Sequence, residues 1–286
     1  MKRLNAEQVA SYRREGYLVV PDLLTTETMA ALREATEAMV VVAATVGKSD
    51  SVFDFGSGAS GPELRRIKSP ERHNPAFASL LTSDEVLDCV ADLLGEDIRF
   101  VSSKLNLKQP HGGQAVEWHQ DWAFGAATND DGLTVGIALD DASVENGCLL
   151  VLPGSHRGPV LDHCRDGRFV GAVTDPSFDP VGAVPLEVKA GGISLHHVRT
   201  LHGSAPNRSA RQRRLLLYSY AAADAWPLSG IDRSGLDAHI LRGVAPPAPR
   251  LEKVPVRPWP LWQDEELGAD TSIFDFQDRA GTSRFS

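Results

Sequence analysis

Trp118-His119-Gln120-Asp121-Trp122 is the stretch that most strongly indicates the architecture of this chain. Side chains two residues apart on a β-strand face the same side, so we expect His119 and Asp121 to point into a barrel and Gln120 to point away. A bare pair with this spacing is more often a structural hydrogen-bonded pair. Here the flanking tryptophans and a histidine-rich segment downstream favour a metal site instead.

The downstream segment offers three histidines, His196, His197 and His202. The first two are adjacent on a predicted strand and therefore face opposite ways. His202 precedes Gly203 and a turn at 206–207, which puts it at a strand edge, and we take it as the third ligand. Two imidazoles and one carboxylate can occupy one face of an octahedral iron(II) and leave the other face open. The pattern predicts an oxygenase.

Arg213 begins an apolar run eleven residues after His202. A buried arginine on a strand is costly unless a carboxylate meets it. A dicarboxylate that chelates iron at one end would supply that partner at the other end. We therefore expect Arg213 to bind 2-oxoglutarate, whereas the nearby Arg208 and Arg211 fit a solvated turn.

The chain from residue 98 onward consists of short apolar runs separated by Gly, Pro and Asn. Such a pattern predicts a β-sandwich or barrel with helices packed outside. The predicted strands are 17–20, 98–107, 133–139, 148–152, 184–188, 192–196 and 213–220. The predicted helices are 5–16, 25–46 and 83–94, and the glycine-rich segment 47–62 is expected to be a flexible loop of the kind that forms lids.

Composition excludes several classes of protein. A formal net charge of −9 argues against a general nucleic-acid surface. No apolar stretch approaches the roughly 20 residues of a membrane span, and the first residues lack an apolar signal core. We expect a cytoplasmic protein with neither nucleic acid nor membrane as partner. Cys89, Cys148 and Cys164 have no CxxC spacing, so neither a disulfide framework nor a thiolate zinc site is predicted.

Several motifs in this order resemble the phytanoyl-CoA dioxygenase family of iron(II)/2-oxoglutarate oxygenases. They are Tyr12–Pro21, Trp118–Asp121, Glu145–Gly158 and the run from His202 to Arg213, and together they cover roughly residues 7 to 220. One departure is Gly136, which stands where family members often carry a tryptophan beside the cosubstrate.

The resemblance implies a double-stranded β-helix, a cupin-like jelly roll that is mainly β with flanking helices. It implies Fe(II), 2-oxoglutarate and O2 as the reacting set, with hydroxylation of an unactivated C–H bond and release of succinate and CO2. Asp121 favours hydroxylation over halogenation. Ser204 and Arg213 would bind the far carboxylate of 2-oxoglutarate, and the residues expected nearby are Ser102, Lys104, Asn106 and Lys68.

We expect one oxygenase domain over 1–286, because β-barrels of this length commonly form a single domain. Within it, 1–97 would be a mainly helical flank with the lid loop, 98–222 the jelly-roll core and 223–286 an extension packed on the core. The proline-rich stretch 244–262, with Trp259 and Trp262, would be extended along the core surface. A recognition peptide for another protein is the alternative.

The substrate is expected to be a small molecule, with the oligomeric state left open. Trp122 and Phe124 could form an apolar wall beside the metal. Arg66 and Arg199 could receive a carboxylate, phosphate or phosphonate, as could Arg65, Lys68 and Arg72; solvated charges around a helix are the alternative.

Two other functions compete with the oxygenase. A zinc-dependent hydrolase or isomerase on a cupin-like barrel also uses two histidines and a carboxylate. Such an enzyme has no stated need for a buried guanidinium facing the metal, so Arg213 discriminates against it. A non-catalytic binding barrel would be expected only if the triad were incomplete.

Overall fold

The computed structural model describes residues 1–58, 61–230, 232–257, 271–281 and 283–285. The helices are α1 Ala6–Glu15, α2 Thr26–Val46, α3 Pro75–Leu81, α4 Asp84–Leu94, α5 Arg233–Asp237 and α6 Ile273–Asp278. The strands are β1 Tyr17–Val20, β2 Phe53–Gly58, β3 Gly61–Lys68, β4 Ile98–Lys108, β5 Val116–His119, β6 Gly132–Ala138, β7 Leu149–Val151, β8 Cys164–Arg165, β9 Arg168–Phe169, β10 Val184–Leu186, β11 Ile193–His197, β12 His202–Ser204, β13 Arg213–Ala222 and β14 Ile240–Arg242.

The long helices predicted from sequence are confirmed, and their ends follow local chemistry. Asn5 and Gln8 form a capping box at the start of α1, and Gly16 ends that helix in the left-handed region with φ 81°. The Thr25 hydroxyl accepts a hydrogen bond from the backbone of Thr28 at the start of α2. Within the described ranges, no helix has the length and apolar character required to cross a membrane.

Two facing antiparallel sheets form the centre of the fold. The large sheet has the order β1-β11-β6-β13-β4-β3-β2, with β14 added beside β4, and the small sheet has the order β10-β7-β12-β5. Strands far apart in the chain are neighbours, as in a jelly roll. The predicted mainly β, cupin-like double-stranded β-helix with flanking helices is confirmed.

The main apolar core lies between the large sheet and the helices, on the sheet face directed away from the small sheet. On β4, Leu105 and Leu107 are buried in that core, while Lys104 and Asn106 alternate onto the inner face. The hydroxyl of Tyr218 donates to the Phe77 carbonyl at 2.7 Å and thereby ties α3 to β13. Because apolar packing is satisfied on the outer face, the inner face can carry polar residues.

The prediction of a flexible loop over 47–62 is wrong at residues 53–58 and 61–62. Residues 53–58 and 61–68 form the β2–β3 hairpin at the edge of the large sheet. Asp54 on β2 is buried and accepts a hydrogen bond from Arg65 on β3 at 3.0 Å. This ion pair connects β2 to β3 and stabilises the hairpin in spite of its glycines. The region 1–97 therefore contributes three strands as well as helices.

The described part of the proline-rich stretch, residues 244–257, forms neither helix nor strand and bends at residues 247–248. Its Pro255 carbonyl accepts a hydrogen bond from the Trp122 indole at 2.8 Å, and Glu252 donates its backbone N–H to Thr128 at 2.9 Å. These contacts are with its own chain. Trp259 and Trp262 lie outside the described residues.

Replacing Tyr218 with phenylalanine should lower the free energy of unfolding by about 1 kcal/mol, because a buried hydrogen bond between β13 and α3 is lost. Urea denaturation followed by circular dichroism measures the change. Val41→Ala, at a position on α2 that is 67% exposed, is the control and should alter stability by less than Tyr218→Phe. Equal stability of Tyr218→Phe and wild type would contradict this role for the hydroxyl.

Candidate active site

Sheet register brings His119 and His202 together. In the small sheet, β5 and β12 are antiparallel and His119 is paired directly with His202. Directly paired residues on adjacent strands have side chains on the same face. The two imidazole centroids are therefore 4.1 Å apart, although 83 positions separate the residues in the chain.

The same local contact orients each ring. Nδ1 of His119 lies 2.7 Å from the Glu117 carbonyl, and Nδ1 of His202 lies 2.9 Å from the Thr200 carbonyl. Because a carbonyl only accepts, each Nδ1 must carry the hydrogen, which leaves the lone pair on Nε2. Both Nε2 atoms then face Asp121, at 3.7 Å and 3.8 Å from its Oδ1. Both imidazoles are thus held in the tautomer that a metal needs.

Asp121 departs from the predicted strand. Strand β5 ends at His119, and Asp121 begins a single 3-10 turn over residues 121–124. Its Oδ2 accepts a hydrogen bond from Thr134 at 3.0 Å and lies 3.4 Å from Nε2 of His196. One carboxylate oxygen is thereby held by the protein, and the other faces the two imidazoles. The ligand atoms of His119, Asp121 and His202 all lie within 4.8 Å of one another.

Burial sets the protonation states of this trio. It lowers the pKa of His202 to about 4 and the pKa of His119 well below its ordinary value. For Asp121, burial alone would raise the pKa, but the neighbouring imidazoles and the Lys104 ammonium together hold it well below the usual range. Neutral imidazoles and an ionised carboxylate are the forms that bind a metal.

Gln120 points away from the trio, as predicted, and anchors the turn that carries Asp121. Its amide nitrogen donates to the Arg199 carbonyl at 2.9 Å, and its amide oxygen accepts from the backbone of Leu161 at 2.9 Å. The residue is fully buried. The residue between the two ligands therefore fixes the local backbone.

An inner pocket of about 40 Å³ lies beside the trio and ends at Arg213. Nη2 of Arg213 donates to the Gly147 carbonyl at 3.0 Å and lies 3.4 Å from the Ser204 hydroxyl. Its Nε and Nη1 are buried with no hydrogen-bond partner in the part of the chain that the structure describes. Burial lowers the pKa of Arg213 to about 10, so it is still cationic at neutral pH.

The polar residues that line the inner pocket come from both sheets. They are Arg66, Lys104, Asn106, His119, Asp121, Thr134, His196, His202, Ser204 and Arg213. His196 lines the pocket while its neighbour His197 packs near Tyr12 on the other face, which confirms that the two rings diverge. A larger residue would not fit at Gly136 on β6, because a Cβ there would lie 2.8 Å from the Ser194 hydroxyl.

Lys108 and Thr134 were missed by sequence reasoning. Lys108 is buried beside the inner pocket, where its Nζ donates to the Ser204 hydroxyl at 2.6 Å. Burial lowers the pKa of Lys108 well below its ordinary value, and the nearby Arg213 cation lowers it further. The alternation of Lys104, Asn106 and Lys108 on one strand could have signalled this residue. Thr134 carries no comparable signal in the sequence.

An outer cavity of about 550 Å³ opens onto Asp121 on the side away from Arg213. Trp122 and Phe124, expected as an apolar wall, and Arg66, expected to receive an anion, all line it. Helix α6 supplies Ile273 and Phe276 to the same wall, a contribution that no sequence motif indicated. The segment expected to serve as a lid lies at a sheet edge, and α6 covers the site instead.

Three predicted site residues lie elsewhere than expected. Lys68 and Ser102 line the outer cavity rather than the inner pocket, and Nζ of Lys68 donates to the Asp50 carbonyl at 2.8 Å. Arg199 lies beyond β11 and is ion-paired with Asp130 at 2.7 Å, so it does not belong to the described lining of either cavity. Lys104 and Asn106 do lie in the inner pocket.

The arginines around the outer cavity differ in whether a carboxylate pairs with them. Arg65 is ion-paired with Asp54, Asp275 and Asp278, and Arg72 is an exposed partner of Glu71. Arg66 instead lines both cavities, and its Nε donates to the neutral Asn106 amide oxygen at 2.8 Å.

The donor set fits iron(II) and 2-oxoglutarate. Two neutral imidazoles and one carboxylate leave room for further ligands on the open side of the metal. The unpartnered Nε and Nη1 of Arg213 offer donors to a carboxylate at the other end of the inner pocket, while the Ser204 hydroxyl beside them donates to the Gly147 carbonyl at 2.9 Å.

Comparison with known proteins gives the same assignment. The family model described as phytanoyl-CoA dioxygenase matches residues 12–215. The chain is 40% identical over 266 residues to a probable alpha-ketoglutarate-dependent hypophosphite dioxygenase of Stutzerimonas stutzeri, covering 90% of this chain and 93% of that protein. It is 29% identical over 231 residues to L-proline trans-4-hydroxylase of Streptomyces griseoviridis, covering 73% of this chain and 83% of that protein.

A solved structure matches as well. The epimerase SnoN in complex with Fe3+, alpha ketoglutarate and nogalamycin RO superposes with a TM-score of 0.65 at 26% identity, covering 90% of this chain and 95% of that chain. None of these relatives is a zinc hydrolase, and the alternative raised by the bare triad has no support among them. The chain belongs to the phytanoyl-CoA dioxygenase family and is an Fe(II)/2-oxoglutarate-dependent dioxygenase.

Proposed function

We propose that this dioxygenase hydroxylates a C–H bond of a small anionic metabolite held in the outer cavity. The observation that carries the proposal is the charge of that cavity, which opens onto Asp121. Its described lining has four cations, Arg66, Lys68, Arg99 and Lys104, and two acids, Asp121 and Asp131. Asp121 would be committed to the metal, and Asp131 is ion-paired with Arg250. A neutral substrate would leave this excess of buried positive charge uncompensated.

Arg66 and Lys104 would hold the anionic group nearest the metal. Burial lowers the pKa of Arg66 to about 10, which leaves it cationic at neutral pH. Burial also lowers the pKa of Lys104, while the Asp121 carboxylate opposes that effect. Neither has a carboxylate within ion-pair distance among the described residues, so a substrate anion would stabilise both.

His119, Asp121 and His202 would hold the iron, and Arg213 with Ser204 would hold the far carboxylate of 2-oxoglutarate. Together the bound iron and cosubstrate supply the oxidising power that places one oxygen atom of O2 on the substrate, with succinate and CO2 as coproducts. Thr134 fixes Asp121, and Lys108 fixes the Ser204 hydroxyl. Trp122 and Phe124 would exclude water from the reacting end of the substrate.

Oxidation of a P–H bond is the second candidate. The relative described as a probable hypophosphite dioxygenase supports it at 40% identity. Arg66 and Lys104 would suit a phosphorus oxyanion. The outer cavity of about 550 Å³ is far larger than so small an anion needs, and this favours an organic substrate.

A substrate screen separates the two candidates. We expect succinate formation by the Fe(II)-loaded enzyme to be stimulated by at least one organic carboxylate, phosphate or phosphonate, with transfer of ¹⁸O from ¹⁸O2 to a carbon atom of the product. Hypophosphite should stimulate it less. Conversion of hypophosphite to phosphite, one for each succinate and faster than any organic anion, would establish the second candidate.

We expect slow succinate formation with Fe(II) and 2-oxoglutarate alone, and Asp121→Ala should abolish it, because the metal loses its only carboxylate from the trio. Asp130→Asn is the matched control, since Asp130 pairs with Arg199 outside both described cavities. Fe(II) affinity, measured by anaerobic titration, should fall in Asp121→Ala and persist in the control. Unchanged turnover in Asp121→Ala would exclude the assigned metal site.

Arg213→Met should raise KM for 2-oxoglutarate by about tenfold to a hundredfold, the usual cost of losing hydrogen bonds to a charged group. Fe(II) affinity should be retained. The control is Arg214→Met on the same strand, because Arg214 points outward to Asp140 and Glu37 and should leave this KM unchanged. Equal KM values in Arg213→Met and wild type would remove Arg213 from the cosubstrate site.

A further inference from the structure

The outer cavity has a second cationic end, at Arg99. Arg99 and Lys104 both line this cavity and both lie on β4. β4 bulges between them, and their partners on β13, Leu217 and Ala221, are four residues apart, which corresponds to roughly 13 Å at about 3.3 Å per residue. The cavity therefore extends well beyond the group that would react at the metal.

Arg99 is buried without a counter-ion. The residue is 6% exposed, and its Nη2 donates to the Ala225 carbonyl at 2.7 Å. Its Nε is buried and has no hydrogen-bond partner among the described residues. Burial lowers the pKa of Arg99, and no carboxylate of the described residues counters that effect. Of the two acids that line this cavity, Asp121 would be committed to the metal, and Asp131 is ion-paired with Arg250.

Three other buried or partly buried arginines differ from Arg99, because each has a carboxylate partner. Arg65 is paired with Asp54, Arg199 with Asp130 and Arg214 with Asp140. Arg213 resembles Arg99, because it too has unpartnered guanidinium nitrogens that line a pocket. For Arg213 the missing partner is the cosubstrate carboxylate. The same reasoning requires an external anion at Arg99, since a buried cation with no partner is strongly disfavoured.

The surroundings of Arg99 suit a ligand that reaches it from the metal side. Ala127, Ala225 and Pro227 line the cavity with small apolar surfaces, and Ala127 and Pro227 form a β-bridge. Phe276 and Trp122 line the same cavity. An apolar linker would pack against these side chains between the two cationic ends.

We propose that Arg99 binds a second anionic group, at the end of the substrate remote from the reacting bond. The substrate is then an elongated molecule with an anion at each end, one near Arg66 and Lys104 and the other at Arg99. This inference rests on the proposed anionic substrate and adds its length and its second charge.

Binding of synthetic dianions tests the inference without knowledge of the natural substrate. The probes are methylphosphonate and α,ω-alkanediphosphonates of increasing chain length. They are titrated anaerobically by calorimetry into enzyme loaded with Fe(II) and saturating 2-oxoglutarate. The variants are Arg99→Met, Arg99→Lys and, as matched control, Arg242→Met. Arg242 lies on β14 beside β4 but pairs with Asp84 and Asp88.

We expect affinity in wild type to pass through a maximum at one chain length. Arg99→Met should weaken binding of that diphosphonate by roughly tenfold or more and leave methylphosphonate binding unchanged. Arg99→Lys should restore part of the affinity, and Arg242→Met should behave as wild type. Loss of the maximum in Arg99→Met alone supports the second anion site.

Two results would overturn the inference, and they differ in what they say of the proposed function. If methylphosphonate binds but added length gives no gain, or the gain survives in Arg99→Met, Arg99 is not an anion site and the anionic substrate stands. If no phosphonate binds wild type while 2-oxoglutarate turnover is normal, both the second site and the anionic substrate fail.

Measurements of unfolding distinguish a ligand-binding role of Arg99 from a structural one. Because Arg99 has no counter-ion in the part of the chain that the structure describes, Arg99→Met should unfold at the same urea concentration as wild type or a higher one. A marked loss of stability in both Arg99→Met and Arg99→Lys would mean that the guanidinium serves the fold through Ala225, and would overturn the proposal.

Discussion

The direct pairing of His119 with His202 across β5 and β12 is the constraint on which the site depends. It fixes two imidazoles on one face of the small sheet, and backbone carbonyls two residues earlier in the chain fix their tautomers. A shift of register by one residue would turn one ring to the opposite face of the sheet. Asp121 can complete the trio only because the backbone turns immediately after His119.

The position of the hydrophobic core explains how so polar a centre is tolerated. Apolar burial is concentrated between the large sheet and the surrounding helices, where Tyr218 and Tyr220 also bond to backbone carbonyls of the α3 region. The inner face of that sheet contributes less to apolar packing. It can therefore carry Lys104, Asn106 and Arg213 toward the space between the sheets.

Among the described residues, the two cavities carry more cations than nearby carboxylates neutralise. Around the inner pocket, Lys108 and Arg213 are held mainly by neutral carbonyls and hydroxyls. In the outer cavity, Arg66 is held by an asparagine and Arg99 by a carbonyl. Anionic ligands would neutralise the unpaired cations of both cavities. Binding of the cosubstrate and of an anionic substrate should therefore each offset the free-energy penalty of burying a cation without a partner.

The sequence by itself determined the helices α1, α2 and α4 and most strands, and it indicated the grouping of His119, Asp121 and His202 and the inward position of Arg213, because each depends on local periodicity or on residue types that one chemistry requires. It did not determine the β2–β3 hairpin, the paired state of Arg199, the role of Lys108 or the placement of α6 over the outer cavity. Those features depend on contacts between residues distant in the chain. Only the tertiary structure decides which buried cation receives a carboxylate from its own chain and which is left for a ligand.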